Sequence, residues 1–473
     1  MIPRALRNAA AALAVAAMAS AAVAQPASQA DQQRAAVLQA FGGAYDGPMA
    51  AYVARIGERM AAAAGQGGRC RFTVLDTPVV NAMATPPGCE IYVTRGLLSL
   101  IRDEDELAAV LGHEVGHVAA DHAGRRQTRS AITGLGAVIL GAVTGSSTIA
   151  SVASQVGQLN VLSYSRAQEF EADSLSARYL ASARYNPWGL ADMLSALQAS
   201  DQLEALDQGT KARATPAWSS THPLTGDRIA RAVAEARRTA GPSPPQGPAS
   251  DAYLAAVDGL VYGDDPAQGV VLGRRFLHPG LGIGFTAPEG FQLANSPAAV
   301  SLQGPAGQIA QFAGPTSGAR GGDLADEAYA VLRRVAGQTP VDTGELRRTR
   351  VNGLDAVVLA AQARTSRGAV DVTVAVYAVG QVPYHFVTLA PAGQGGGFDP
   401  LIGSMRRLSE AERAEARPRR IQVVTVRAGD TIDSLAARMA VEDRRRELFL
   451  AINGLQPGDP LKPGDRVKIV TIG

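Results

Sequence analysis

The chain has 473 residues, 46% hydrophobic and 19% charged, too long for one ordinary core and suited to two to four domains. Lys and Arg total 45 against 43 Asp and Glu, so the formal charge is only +2 and no global field exists to hold nucleic acid. Two Cys exclude a disulfide framework or a Cys-based zinc ribbon, and three of the six His (His113, His117, His122) fall within ten residues.

Residues 1–24 read as a cleavable export signal: Arg4 and Arg7, an apolar run from Ala9 to Ala21, then Ala22-Val23-Ala24. Export predicts a periplasmic, oxidising setting. Cys70 and Cys89 then fit either a disulfide or a buried thiol. Residues 25–240 carry helical patterns and 241–267 read as a linker rich in Pro, Gly and Ser. Residues 268–409 alternate as strands around one helix, 410–420 form a charged second linker, and 421–473 run strand, two helices, strand. The uncharged stretch 130–165 predicts a buried or interfacial helical hairpin, with membrane-surface contact as the alternative.

The chemistry lies in Leu111-Gly-His-Glu-Val-Gly-His-Val118. His113 and His117 are one helical turn apart and can share one Zn²⁺. Glu114, beside the metal, can take a proton from metal-bound water and pass it to a leaving amine. Gly112 and Gly116 predict close approach by another backbone or helix. A third ligand is expected from Tyr164-Ser-Arg-Ala-Gln-Glu-Phe-Glu-Ala-Asp173, where Glu169 and Asp173 share a helix face. Glu169 reaches the metal, Asp173 accepts the free ring N–H of a ligating His, and Glu171 is expected in solvent.

His113–His117 followed by Ser165–Asp173 resembles family forty-eight of the metallopeptidases, across about residues 35–240, in its periplasmic BepA-like branch. The resemblance implies a mainly helical zincin (gluzincin) domain with a small edge sheet. It implies one zinc on His113, His117 and Glu169, Glu114 as general base and acid, and Asp173 behind a ligand. Thr221-His-Pro-Leu-Thr-Gly-Asp-Arg-Ile229 matches a further family motif. There Arg228 would brace the network or the oxyanion, and His222 would lie at the site, cap the metal, or simply start a helix before Pro223 at its N1. Ile91-Tyr92-Val93 resembles the edge strand that pairs with extended polypeptide. His122 has no place in the motif and is expected at the surface.

Residues 268–409 resemble a small PsbP/Mog-like α/β sandwich, and 421–473 a βααβ LysM module. The latter implies binding to peptidoglycan glycan chains near Asp430, Thr431 and Asn453. The whole reads as a multidomain α+β, exported zinc metalloendopeptidase acting on cell-envelope proteins. A chaperone or scaffold with an occluded protease site, and a peptidoglycan hydrolase, are the alternatives.

Overall fold

The computed structural model describes residues 28–125, 164–208, 217–223, 225–242, 250–297, 299–305, 307–315, 323–365 and 368–473. The signal and all but the last two residues of the 130–165 stretch lie outside these. Among the described residues no helix is long and apolar enough to cross a membrane.

The molecule mixes helix and sheet. In the N-terminal part, helices Pro48–Ala63, Glu104–Ala119, Arg166–Ser182, Trp188–Gln208 and Gly226–Ala240 surround a three-stranded sheet. The motif helix Glu104–Ala119 begins at Asp103, whose carboxylate accepts the Glu106 N–H, with three acidic residues in its first turn. Arg166–Ser182 opens with a capping box between Ser165 and Gln168. The two helices meet at Gly112 and Gly116. A Cβ on Gly112 would lie 2.7 Å from Met60 Cε and 3.0 Å from Ser176 Oγ, and one on Gly116 3.2 Å from the Ala172 carbonyl. That closeness brings both metal-ligand motifs into one core, with Ser176 Oγ donating to the Ala109 carbonyl at 2.8 Å.

The small sheet corrects one expectation. Its order places Cys89–Thr94 in the centre, parallel to Cys70–Leu75 and antiparallel to Ala82–Thr85. Ile91, Tyr92 and Val93 are fully buried and already paired on both sides, so they cannot receive a substrate strand. The edge that packs on the motif helix is Ala82–Thr85. Cys70 and Cys89, opposite each other in the parallel pair, are joined by a disulfide.

Residues 268–408 build three layers. An antiparallel seven-stranded sheet carries helix Leu324–Ala336 on one face and a four-stranded sheet on the other. Strand alternation divides the cores: Val374 and Val376 face the helix, while Ala375 and Tyr377 face Phe276, Phe285 and Phe386.

The two stretches expected as linkers carry structure instead. Residues 251–257 form a helix whose Tyr253, Leu254 and Val257 are buried. Val261–Tyr262 pairs with Arg419–Thr425 of the C-terminal sheet, and Glu410–Glu415 is helical. The C-terminal strands and helices Ile432–Ala437 and Arg445–Asn453 share one apolar core with the N-terminal helices, through Ile421, Leu435, Phe449 and Ile469. Apolar residues within these short segments drive the docking, which their Pro- and charge-rich flanks conceal in the sequence.

A buried cation fixes this docking. Lys468, fully enclosed, donates from Nζ to the carbonyls of Ser99 (2.8 Å), Leu100 (3.4 Å) and Ile101 (2.6 Å) at the end of helix Arg95–Leu100. Lys468→Met strands these carbonyls without a donor. It should lower stability by about 2–4 kcal/mol in urea unfolding.

Candidate metal centre

His113, His117, Glu169 and His222 converge, all buried, with one ligand atom from each within 4.8 Å of the others. His113 Nε2 lies 3.0 Å from His117 Nε2 and 3.4 Å from His222 Nδ1. Glu169 Oε1 lies 3.5 Å from His117 Nε2 and 3.2 Å from His222 Nδ1, and Glu169 Oε2 lies 3.6 Å from His113 Nε2. Ligands about 2.0–2.1 Å from a tetrahedral zinc stand roughly 3.3 Å apart, so these separations fit the edges of a zinc coordination shell. The donor chemistry, imidazole and carboxylate, suits the same metal. His222 Nδ1 belongs to the same cluster and would be available as a fourth donor, at the position a catalytic site leaves to water.

Glu114 is fully buried beside this cage, and its carboxylate has no side-chain hydrogen-bond partner among the described residues. His222 Nε2 is 3.5 Å from its Oε1. Burial raises the Glu114 pKa, with His222 and His113 opposing. Burial, then the neighbouring histidines, pushes His117 well below the usual imidazole range, which favours the neutral ring a metal needs.

Arg228 and Asp173 support the cage from behind. Arg228 Nε and Nη2 donate to Asp173 Oδ2 and Oδ1, both at 2.8 Å, and Nη1 pairs with Glu169 Oε2 at 2.7 Å. Asp173 Oδ1 also meets His113 Nδ1 at 3.0 Å, the contact that would fix that ring with Nε2 toward a metal. Burial raises the Asp173 pKa, but hydrogen bonds from Arg228 and His113 outweigh it and hold it at about 2. Glu169 is likewise lowered against its burial, by His222 and Arg228. Arg228 thus braces the ligand Glu169 and the supporting carboxylate of Asp173.

Several placements differ from expectation. His122 is buried, not at the surface, because the positive φ of Asp121 (49°) turns the chain back beneath the motif helix. Its Nδ1 lies 2.8 Å from His117 Nδ1. Glu171 is exposed, as expected, and also pairs with His122 Nε2 at 3.2 Å. His222 follows the short helix Ala217–Thr221, and the next helix begins only at Gly226, so Pro223 is not its N1 residue. Trp218 and Tyr164 emerge only in the structure: Trp218 stacks on His222 (4.4 Å between centroids) and Tyr164 on His117 (3.8 Å). An aromatic flanking each ligand motif was their only trace in the sequence.

In the C-terminal module, Asn453 is buried and its side chain is spent internally: Nδ2 donates to the Phe449 and Lys468 carbonyls, and Oδ1 accepts the Lys468 N–H. It therefore offers nothing to a glycan. Thr431 caps helix Ile432–Ala437, and Asp430 accepts the Arg427 N–H.

Fold and site together define a centre of two histidines and one glutamate on two packed helices. Residues 49–236 match the model of peptidase family M48, and this segment is a peptidase family M48 domain. The mitochondrial metalloendopeptidase OMA1 of Arabidopsis thaliana is 36% identical over 24% of this chain and 23% of its own. Metalloprotease LoiP of Escherichia coli (strain K12) is 32% identical over 32% of this chain and 56% of its own. The Beta-barrel assembly-enhancing protease of Yersinia pestis is 27% identical over 40% and 39%. The chain spans between about a quarter and a little over half the length of such curated relatives.

Proposed function

We propose that this chain is an exported zinc metalloendopeptidase that hydrolyses polypeptides of the cell envelope. The observation that carries the reading is the cage of His113, His117 and Glu169 beside the buried carboxylate of Glu114. When bound there, zinc supplies Lewis acidity to the scissile carbonyl and to water. His113, His117 and Glu169 hold it, and Asp173 and Arg228 keep His113 and Glu169 aligned. Glu114 accepts the proton of the attacking water and returns it to the leaving amine, a task suited by its raised pKa. An extended substrate pairs with Ala82–Thr85, an edge strand among the described residues and the one lying on the motif helix.

Periplasmic location rests on the pattern of residues 1–24, and the Cys70–Cys89 disulfide suits it. The sandwich-like and LysM-like resemblances support a PsbP/Mog-like domain over 268–409 and attachment to peptidoglycan through 421–473. The Asp430–Thr431 loop is the contact that remains for glycan. Contact of 130–165 with a membrane surface belongs to the same proposal. One observation favours a second reading, an occluded site on a chaperone or scaffold: His222 Nδ1 lies 3.4 Å from His113 Nε2 and 3.2 Å from Glu169 Oε1, where it would compete with water for a metal. Turnover by the metallopeptidase then requires His222 to swing away and admit water. The test is casein cleavage by the zinc-loaded full chain, lost on chelation and restored by zinc. A metal-loaded chain that leaves casein intact favours the occluded scaffold.

A further inference from the structure

We propose that His122 is a positioning residue that fixes the tautomer and ring orientation of the metal ligand His117. The inference rests on the metallopeptidase reading and adds a residue outside its motif. His117 turns Nε2 inward, 3.0 Å from His113 Nε2 and 3.5 Å from Glu169 Oε1. A metal taken up there uses the Nε2 lone pair, so the ring proton resides on Nδ1. The His117 Nδ1–H then donates to His122 Nδ1, 2.8 Å away. With its Nδ1 accepting, neutral His122 carries its own proton on Nε2 and donates to Glu171 Oε2 at 3.2 Å. Arg125 Nη2 donates to the same Glu171 oxygen at 3.1 Å, closing the chain at the surface.

Two further contacts hold the relay in place. Gln168 Nε2 donates to the His122 carbonyl at 3.1 Å, so the helix that supplies Glu169 also anchors His122. Tyr164 stacks on the His117 ring. His122 is not itself a ligand, because it sits at the outer nitrogen of His117.

The two ligand histidines are therefore oriented differently. His113 has a carboxylate directly behind it, Asp173. His117 has a neutral imidazole, with the negative charge displaced to the half-exposed Glu171. The interior already holds Glu114, Glu169 and Asp173, and among the described residues one guanidinium, that of Arg228, pairs with Glu169 and Asp173. A neutral acceptor orients His117 without burying a fourth carboxylate.

The test compares zinc affinity, by chelator competition, and the visible spectrum of the cobalt-substituted full chain, in His122→Leu, His122→Asn and wild type. Leu fills the buried space and cannot accept. Asn can place Oδ1 near the lost Nδ1. His122→Leu should weaken zinc by about 10–100-fold and alter the cobalt spectrum, and His122→Asn should recover most of both. Thermal melts of the metal-free chains identify a variant that fails to fold, in which case His122→Asn and Glu171→Gln carry the comparison. Wild-type affinity and spectrum in His122→Leu would overturn the proposal alone. A wild-type chain that takes up no zinc would overturn it together with the metallopeptidase reading.

Discussion

Glu114→Gln should abolish casein cleavage, by about 10²–10⁴-fold in kcat, while zinc content stays that of the wild type. The substitution preserves volume, Glu114 has no side-chain hydrogen bond among the described residues to lose, and the Gln oxygen can still accept from the Ala84 backbone. Removing a buried ionisable group that lacks such partners should leave stability unchanged or raise it slightly. A pure scaffold would keep its function in this variant. Unchanged cleavage would transfer the proton-shuttling role to another group, and His222, 3.5 Å away, is the nearest candidate.

Arg228→Leu should be the most destabilising change at the site. The guanidinium is fully buried and pairs with both Asp173 and Glu169, so its removal leaves two enclosed carboxylates without their main partner. A loss of about 3–5 kcal/mol is expected in urea unfolding of the metal-free chain. The pH dependence follows from Asp173, whose carboxyl is held at about 2 against an ordinary 3.8. A depressed carboxylate contributes stability that is complete above about pH 4 and vanishes as pH falls through about 2, here about 2 kcal/mol. In Arg228→Leu this acid-sensitive contribution should shrink, flattening the stability profile between those pH values. An unchanged acid profile would mean that His113 alone holds the Asp173 pKa down.

The ligand set was legible because the chemistry is encoded at helical spacing: His113 and His117 four apart, Glu169 and Asp173 four apart. The glycines at 112 and 116 likewise announced the helix contact that joins the two motifs. What stayed hidden depends on long-range pairing or chain reversal. Sheet order is not written in a strand's own alternation, so Ile91–Val93 looked like an edge and is central. His122 lies beyond the helix end, and only the left-handed turn at Asp121 brings it to His117. Asn453 matched a glycan-binding pattern, yet its amide closes the module's own backbone. The role of Lys468 is not legible in its own strand, because the carbonyls it serves are more than 360 residues away.

The central claim is that His113, His117 and Glu169 hold a hydrolytic zinc. Zinc stoichiometry of the full chain, wild type against Glu169→Gln, measures it most directly. One zinc per wild-type chain and a sharp loss of binding in the folded variant are expected. A folded wild-type chain that takes up no zinc, or a Glu169→Gln chain that binds it equally tightly, would contradict it.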